Sequence, residues 1–112
     1  MYVCSRKKMF IDSHTHLYLD AFKSDREQMI RRALDAKVNR MLLPNIDSRS
    51  MDAMFSLAEQ YPNHCFPMMG LHPTSVKENY REELALVKAG FLRSDIIAVG
   101  ETGIDLYWDK VI

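Results

Sequence analysis

Met9-Phe10-Ile11-Asp12-Ser13-His14-Thr15-His16 is an apolar run that ends in two histidines one residue apart. On an extended chain, side chains two apart point the same way. His14 and His16 can therefore aim two imidazoles at one point just past a strand's end. Neutral imidazole is the commonest protein ligand for transition metals, and two convergent rings make half a site. Two surface-loop histidines are the competing explanation of the pair taken alone.

Two more segments carry chemistry. In Gly70-Leu71-His72-Pro73 the proline keeps His72 extended, so its imidazole can bind metal, meet a substrate phosphate or brace the loop. In Gly100-Glu101-Thr102-Gly103-Ile104-Asp105 a carboxylate leaves an apolar run between glycines. Such a group is costly to bury unless paired or metal-bound, which makes Glu101 a ligand able to bridge two ions, or else a capping residue. Asp12 shares the side of His14 and His16 by alternation and can support an imidazole or join the metal shell. Asp105 can orient a ligand or cap the next segment, while Tyr107 and Trp108 can stack on a base or cover the site. His64 precedes a strand, at the wrong end for this chemistry, and reads as a solvent histidine.

The elements that must position these groups are legible as periodicity. Apolar strand-like runs occupy Met9–Asp12, Arg40–Pro44, Cys65–Gly70 and Ile96–Gly100. Their starts lie about 25 to 30 residues apart, the size of one strand–helix unit. A capping box, Ser24-Asp25-Arg26-Glu27, opens the first helix, whose apolar face is Met29, Ile30, Ala33 and Leu34. The second helix starts near Ser48 or Ser50, carries Met51, Met54, Phe55, Ala58 and Tyr61, and stops at Pro62. The third runs from Tyr80 to Ala89, with Gly90 suited to a left-handed closing position. Strands joined by single helices run parallel, and in parallel α/β folds the loops after the strands carry the chemistry. His14, His16, His72 and Glu101 all fall in such loops.

Composition sets the limits. The 112 residues are 47% hydrophobic and 27% charged with zero formal net charge, so the chain is globular and lacks the basic field that holds nucleic acid unaided. A phosphodiester substrate would need local groups or bound metal to neutralise it. No apolar run reaches membrane-spanning length. Residues 1–8 read as a flexible basic arm without a signal peptide's apolar core. Cys4 and Cys65 form no motif and are expected as free thiols in a reducing cytoplasm. The abundant methionines fall in apolar stripes, as core filler does.

Taken in order, Phe10-Ile11-Asp12-Ser13-His14-Thr15-His16-Leu17, Gly70-Leu71-His72-Pro73 and Gly100-Glu101-Thr102-Gly103-Ile104-Asp105 resemble the TatD family of metal-dependent deoxyribonucleases, which are amidohydrolase-like TIM barrels. The resemblance implies two divalent ions (magnesium, manganese or zinc) with His14 and His16 on one, Glu101 bridging both, His72 near the substrate phosphate and Asp105 in support. It implies hydrolysis of DNA phosphodiester bonds; a two-metal hydrolase of a small ester, amide or lactone is the second expectation. It also implies that residues 9–112 form the first four strands of a (β/α)8 barrel, an α/β fold incomplete in this chain. Four parallel strands leave an apolar face and two sheet edges open. The missing barrel half or self-association is therefore expected to cover them, and an inactive fragment or binding module is the third expectation.

Overall fold

In the computed structural model, residues 8–108 are described. The arm expected over residues 1–8 therefore lies outside the described residues except for Lys8, as does Cys4. Four strands, β1 (Phe10–Asp12), β2 (Val38–Pro44), β3 (Cys65–Met69) and β4 (Ala98–Val99), form one parallel sheet in the order β1-β2-β3-β4. Helices α1 (Arg26–Asp35), α2 (Met51–Gln60) and α3 (Tyr80–Gly90) make the three crossovers. The result is a curled half-barrel, the α/β architecture that the strand–helix spacing predicts.

The core lies between the helices and the two central strands. Met41, Leu43, Met54, Leu57, Met69 and Ile30 are almost fully buried, so several methionines fill the core as their apolar stripes suggest. Each such side chain gains roughly 1.5–3 kcal/mol from leaving water. The outer strands differ sharply: every residue of β1 and β4 is exposed, including Phe10, Ile11 and Val99. β2 and β3 have a neighbour on each side, whereas β1 and β4 each have one. Those two edges are where a closed barrel would continue.

Three local details depart from the sequence pattern. The capping box expected at Ser24 and Glu27 does not form; Asp25 caps α1 without a side-chain bond. The neighbouring Arg26 instead donates to the carbonyls of Leu17, Tyr18 and Leu19 at 2.7, 3.0 and 2.8 Å, fixing the loop after β1. A capping box does form further on, between Asp47 and Ser50, where a short 3-10 turn (Ser48–Ser50) leads into α2. Gly90 is the last residue of α3 rather than a left-handed cap. A Cβ there would press on the Met69 methyl and lie 3.0 Å from Met51 Cε, so its absence lets α3 sit close to the sheet.

Asn45, just past β2, is fully buried and ties adjacent strand ends together. Its amide donates to Gly70 O at 3.0 Å and Asp47 O at 2.9 Å, and its oxygen accepts from Ser50 Oγ at 2.8 Å. Replacing it with alanine strands several buried polar groups at once. Asn45→Ala is expected to lower unfolding free energy by about 2–3 kcal/mol in urea titration. A loss below about 0.5 kcal/mol would show that this knot is dispensable.

Candidate metal centre

The ladder continues beyond the strands and carries the chemical loops with it. Thr15 N donates to Leu42 O at 3.1 Å, His72 N to Ile46 O at 2.8 Å, and Gly100 N to Met69 O at 2.8 Å. Each motif is thus stitched to the end of its neighbouring strand, at one rim of the half-barrel. Gly70 and Gly100 allow the second and third motifs to approach closely. A Cβ on Gly70 would sit 3.0 Å from Glu101 O, and one on Gly100 would sit 3.2 Å from Met68 O. Gly103, at φ +133°, turns the chain in a conformation that side chains resist.

Three donor atoms converge at this rim. His14 Nε2 and His16 Nε2 are 3.2 Å apart, and Glu101 Oε2 lies 3.2 Å from the first and 3.6 Å from the second. Donors around an ion at roughly 2.0–2.1 Å stand about 3.3 Å apart in a tetrahedron, so the triangle has the size of a metal's ligand face. Glu101 Oε2 is buried and makes no hydrogen bond, although two imidazole nitrogens stand beside it. An acceptor in that condition costs about 1–3 kcal/mol unless a cation takes it up. The donor set of two imidazoles and a carboxylate therefore fits a divalent ion.

His72 occupies a different role in this geometry. Its Nδ1 accepts from Thr74 N at 3.0 Å, which requires that nitrogen to be unprotonated. The proton of the neutral ring therefore sits on Nε2, which donates to Glu101 Oε1 at 2.8 Å. One carboxylate oxygen is thus held by His72 and the other left for the imidazole pair. Asp12 does not meet an imidazole here; its Oδ1 accepts from the His14 amide at 3.1 Å and shapes the turn before the pair. Asp105 accepts from Tyr107 N at 2.8 Å, a local turn that leaves it outside the triangle. Tyr107 and Trp108 are exposed and meet each other edge to face at 4.7 Å. His64 is half-buried rather than solvated, with Nδ1 2.7 Å from Asn39 O, and it braces the amino end of β3.

The model of the family described as TatD related DNase matches residues 11–111, which is nearly all of the chain. The chain belongs to the TatD-related DNase family. It is 30% identical to the uncharacterized metal-dependent hydrolase YabD of Bacillus subtilis over 91% of this chain and 40% of that protein. It is 31% identical to the 3'-5' ssDNA/RNA exonuclease TatD of Erwinia tasmaniensis over 84% of this chain and 36% of that one. The crystal structure of YjjV, a TatD homologue from Escherichia coli, superposes with a TM-score of 0.80 at 30% identity. That match covers 90% of this chain and 39% of YjjV. This TatD-family chain thus spans about two fifths of the length of these relatives.

Two residues that help arrange the rim escaped sequence reading. Tyr18, almost fully buried, lies 3.0 Å from His16 Nδ1 through its hydroxyl. Glu83 of α3 accepts from Ser48 N and Ser48 Oγ at 3.0 and 2.9 Å, pinning the loop after β2. Only Tyr18 carried a local signal, an aromatic two residues beyond the histidine pair. Burial, followed by the neighbouring His14, holds the His16 pKa below its ordinary value, although Glu101 opposes this. Unfolded chain takes up the His16 proton near pH 6.5, and folded chain only at lower pH. This residue's contribution to stability is therefore full above pH 6.5 and declines as pH falls through that value. An NMR titration of the metal-free chain should place the His16 midpoint below the ordinary imidazole value near 6.5. A midpoint above 6.5 would contradict the burial argument.

Proposed function

We propose that this chain carries the metal centre of a TatD-family deoxyribonuclease, with His14, His16 and Glu101 as its ligands. The observation that carries the proposal is the triangle of two Nε2 atoms and an otherwise unpartnered carboxylate oxygen. Three protein ligands with open positions beyond them is the pattern of catalytic rather than structural metal sites. A divalent ion held there would supply Lewis acidity and a water of lowered pKa. Zinc or manganese suits two imidazoles better than magnesium does.

The chain's own groups divide the remaining work in this reading. His72 Nε2–H holds Glu101 Oε1 while the site is at rest, and it is the donor we assign to a non-bridging phosphate oxygen during reaction. Asp12 keeps the His14 turn in place through its backbone bond. Asp105 keeps the turn after Glu101 in shape. Glu101 is the residue that would also hold a second divalent ion beside the first. DNA is the substrate we favour, because relatives named as single-stranded DNA and RNA exonucleases share the family. With zero formal net charge on the chain, the bound cation must supply most of the attraction for phosphate.

We further propose that additional strand–helix units or a second copy cover the exposed edges of β1 and β4. Among the described residues no helix is long and apolar enough to cross a membrane. Burial pushes the Cys65 thiol up to about 11, which leaves it unreactive near neutral pH.

Chelator-stripped protein should recover cleavage of an end-labelled single-stranded oligonucleotide when zinc or manganese is returned. Glu101→Gln should reduce that recovered rate roughly 100-fold or more, beyond the usual effect of removing a supporting group. Full activity in the variant, or activity indifferent to chelator, would overturn the proposal. Recovery confined to a panel of esters, amides and lactones would overturn the choice of DNA while keeping the metal.

A further inference from the structure

The Tyr18 hydroxyl lies between the His16 imidazole and a strand-end carbonyl. The Tyr18 oxygen is 3.0 Å from His16 Nδ1 and in close contact with Pro44 O. A carbonyl oxygen has no hydrogen, so the hydroxyl must donate its only one to Pro44. What remains on the tyrosine oxygen is lone pairs. The facing nitrogen of His16 must then be the donor, which places the ring's proton on Nδ1 and leaves Nε2 bare.

We propose that the Tyr18 hydroxyl is a positioning group that fixes His16 as its Nδ1–H tautomer and reserves the Nε2 lone pair for a divalent cation. The inference rests on the metal-binding reading above. It also separates the two histidines. His16 is prepared for metal before metal arrives, because a buried hydroxyl, itself tied to a backbone carbonyl, holds it. His14 is half-exposed, and among the described residues its Nδ1 has no hydrogen-bond partner. Its Nε2 lies 3.2 Å from the bare Nε2 of His16. Tyr18 packs among Leu17 and Leu43 in the core, so phenylalanine can fill the same volume while removing only the hydroxyl.

The test begins with the metal-free 112-residue chain, labelled with 15N and examined above pH 7 by long-range proton–nitrogen correlation. His16 should show a protonated Nδ1 and an unprotonated Nε2; the opposite tautomer overturns the proposal even if no variant folds. Tyr18→Phe should then mix the His16 tautomers and weaken zinc binding roughly 10-fold. An unchanged zinc affinity and tautomer in a folded variant would also overturn it. If the unsubstituted chain shows the Nδ1–H tautomer but takes up no zinc, the metal reading fails, and the reserved role of Nε2 fails with it.

Discussion

A carboxylate oxygen shut away from water without a hydrogen donor is unstable by itself, and the rim of this half-barrel is organised around one. Glu101 Oε2 sits among His14 and His16 while His72 satisfies the other oxygen. The loops achieve this by extending the parallel ladder past the strands: Thr15 to Leu42, His72 to Ile46 and Gly100 to Met69. The glycines at 70 and 100 remove the side chains that would hold the last two loops apart. Beneath the rim, Asn45, Ser50 and Glu83 spend their hydrogen bonds on the connections rather than on the site. Fold and chemistry are joined here because parallel strands place all their carboxyl ends on the same side.

The same topology leaves the molecule unevenly covered. Helices bury the central strands, while the outer strands keep Phe10, Ile11 and Val99 exposed. In a closed barrel each strand has two neighbours and each inward side chain a packed layer to join. β1 and β4 have neither on their outer sides, which is consistent with a chain that matches about two fifths of its relatives' length. The three converging donors come from the loops after β1 and β4 and meet across the curl.

Much of this was legible because it is local or periodic. Apolar runs at strand–helix spacing marked all four strands, and parallel connectivity then put His14, His16, His72 and Glu101 at one end. β4 is shorter than the run Ile96–Gly100 because only two of its residues pair with β3. What escaped depends on partners distant in sequence. Asn45 resembles an ordinary loop residue until Gly70, 25 residues away, is placed beside it. Tyr18 acquires its meaning only from Pro44, 26 residues on. The Ser24 capping box was a sound local pattern, but the structure caps α1 with Asp25, and Arg26 next to it anchors the loop carbonyls. Gly90 looked like a helix terminator, whereas its role is set by the Met69 side chain packed against it.

Zinc X-ray absorption on the chain loaded with one equivalent tests the central claim most directly. The account predicts a shell of nitrogen and oxygen only, at about 2.0–2.1 Å, with the outer-shell scattering of two imidazoles. A shell of water oxygens without imidazole scattering, or one containing sulfur, would contradict it.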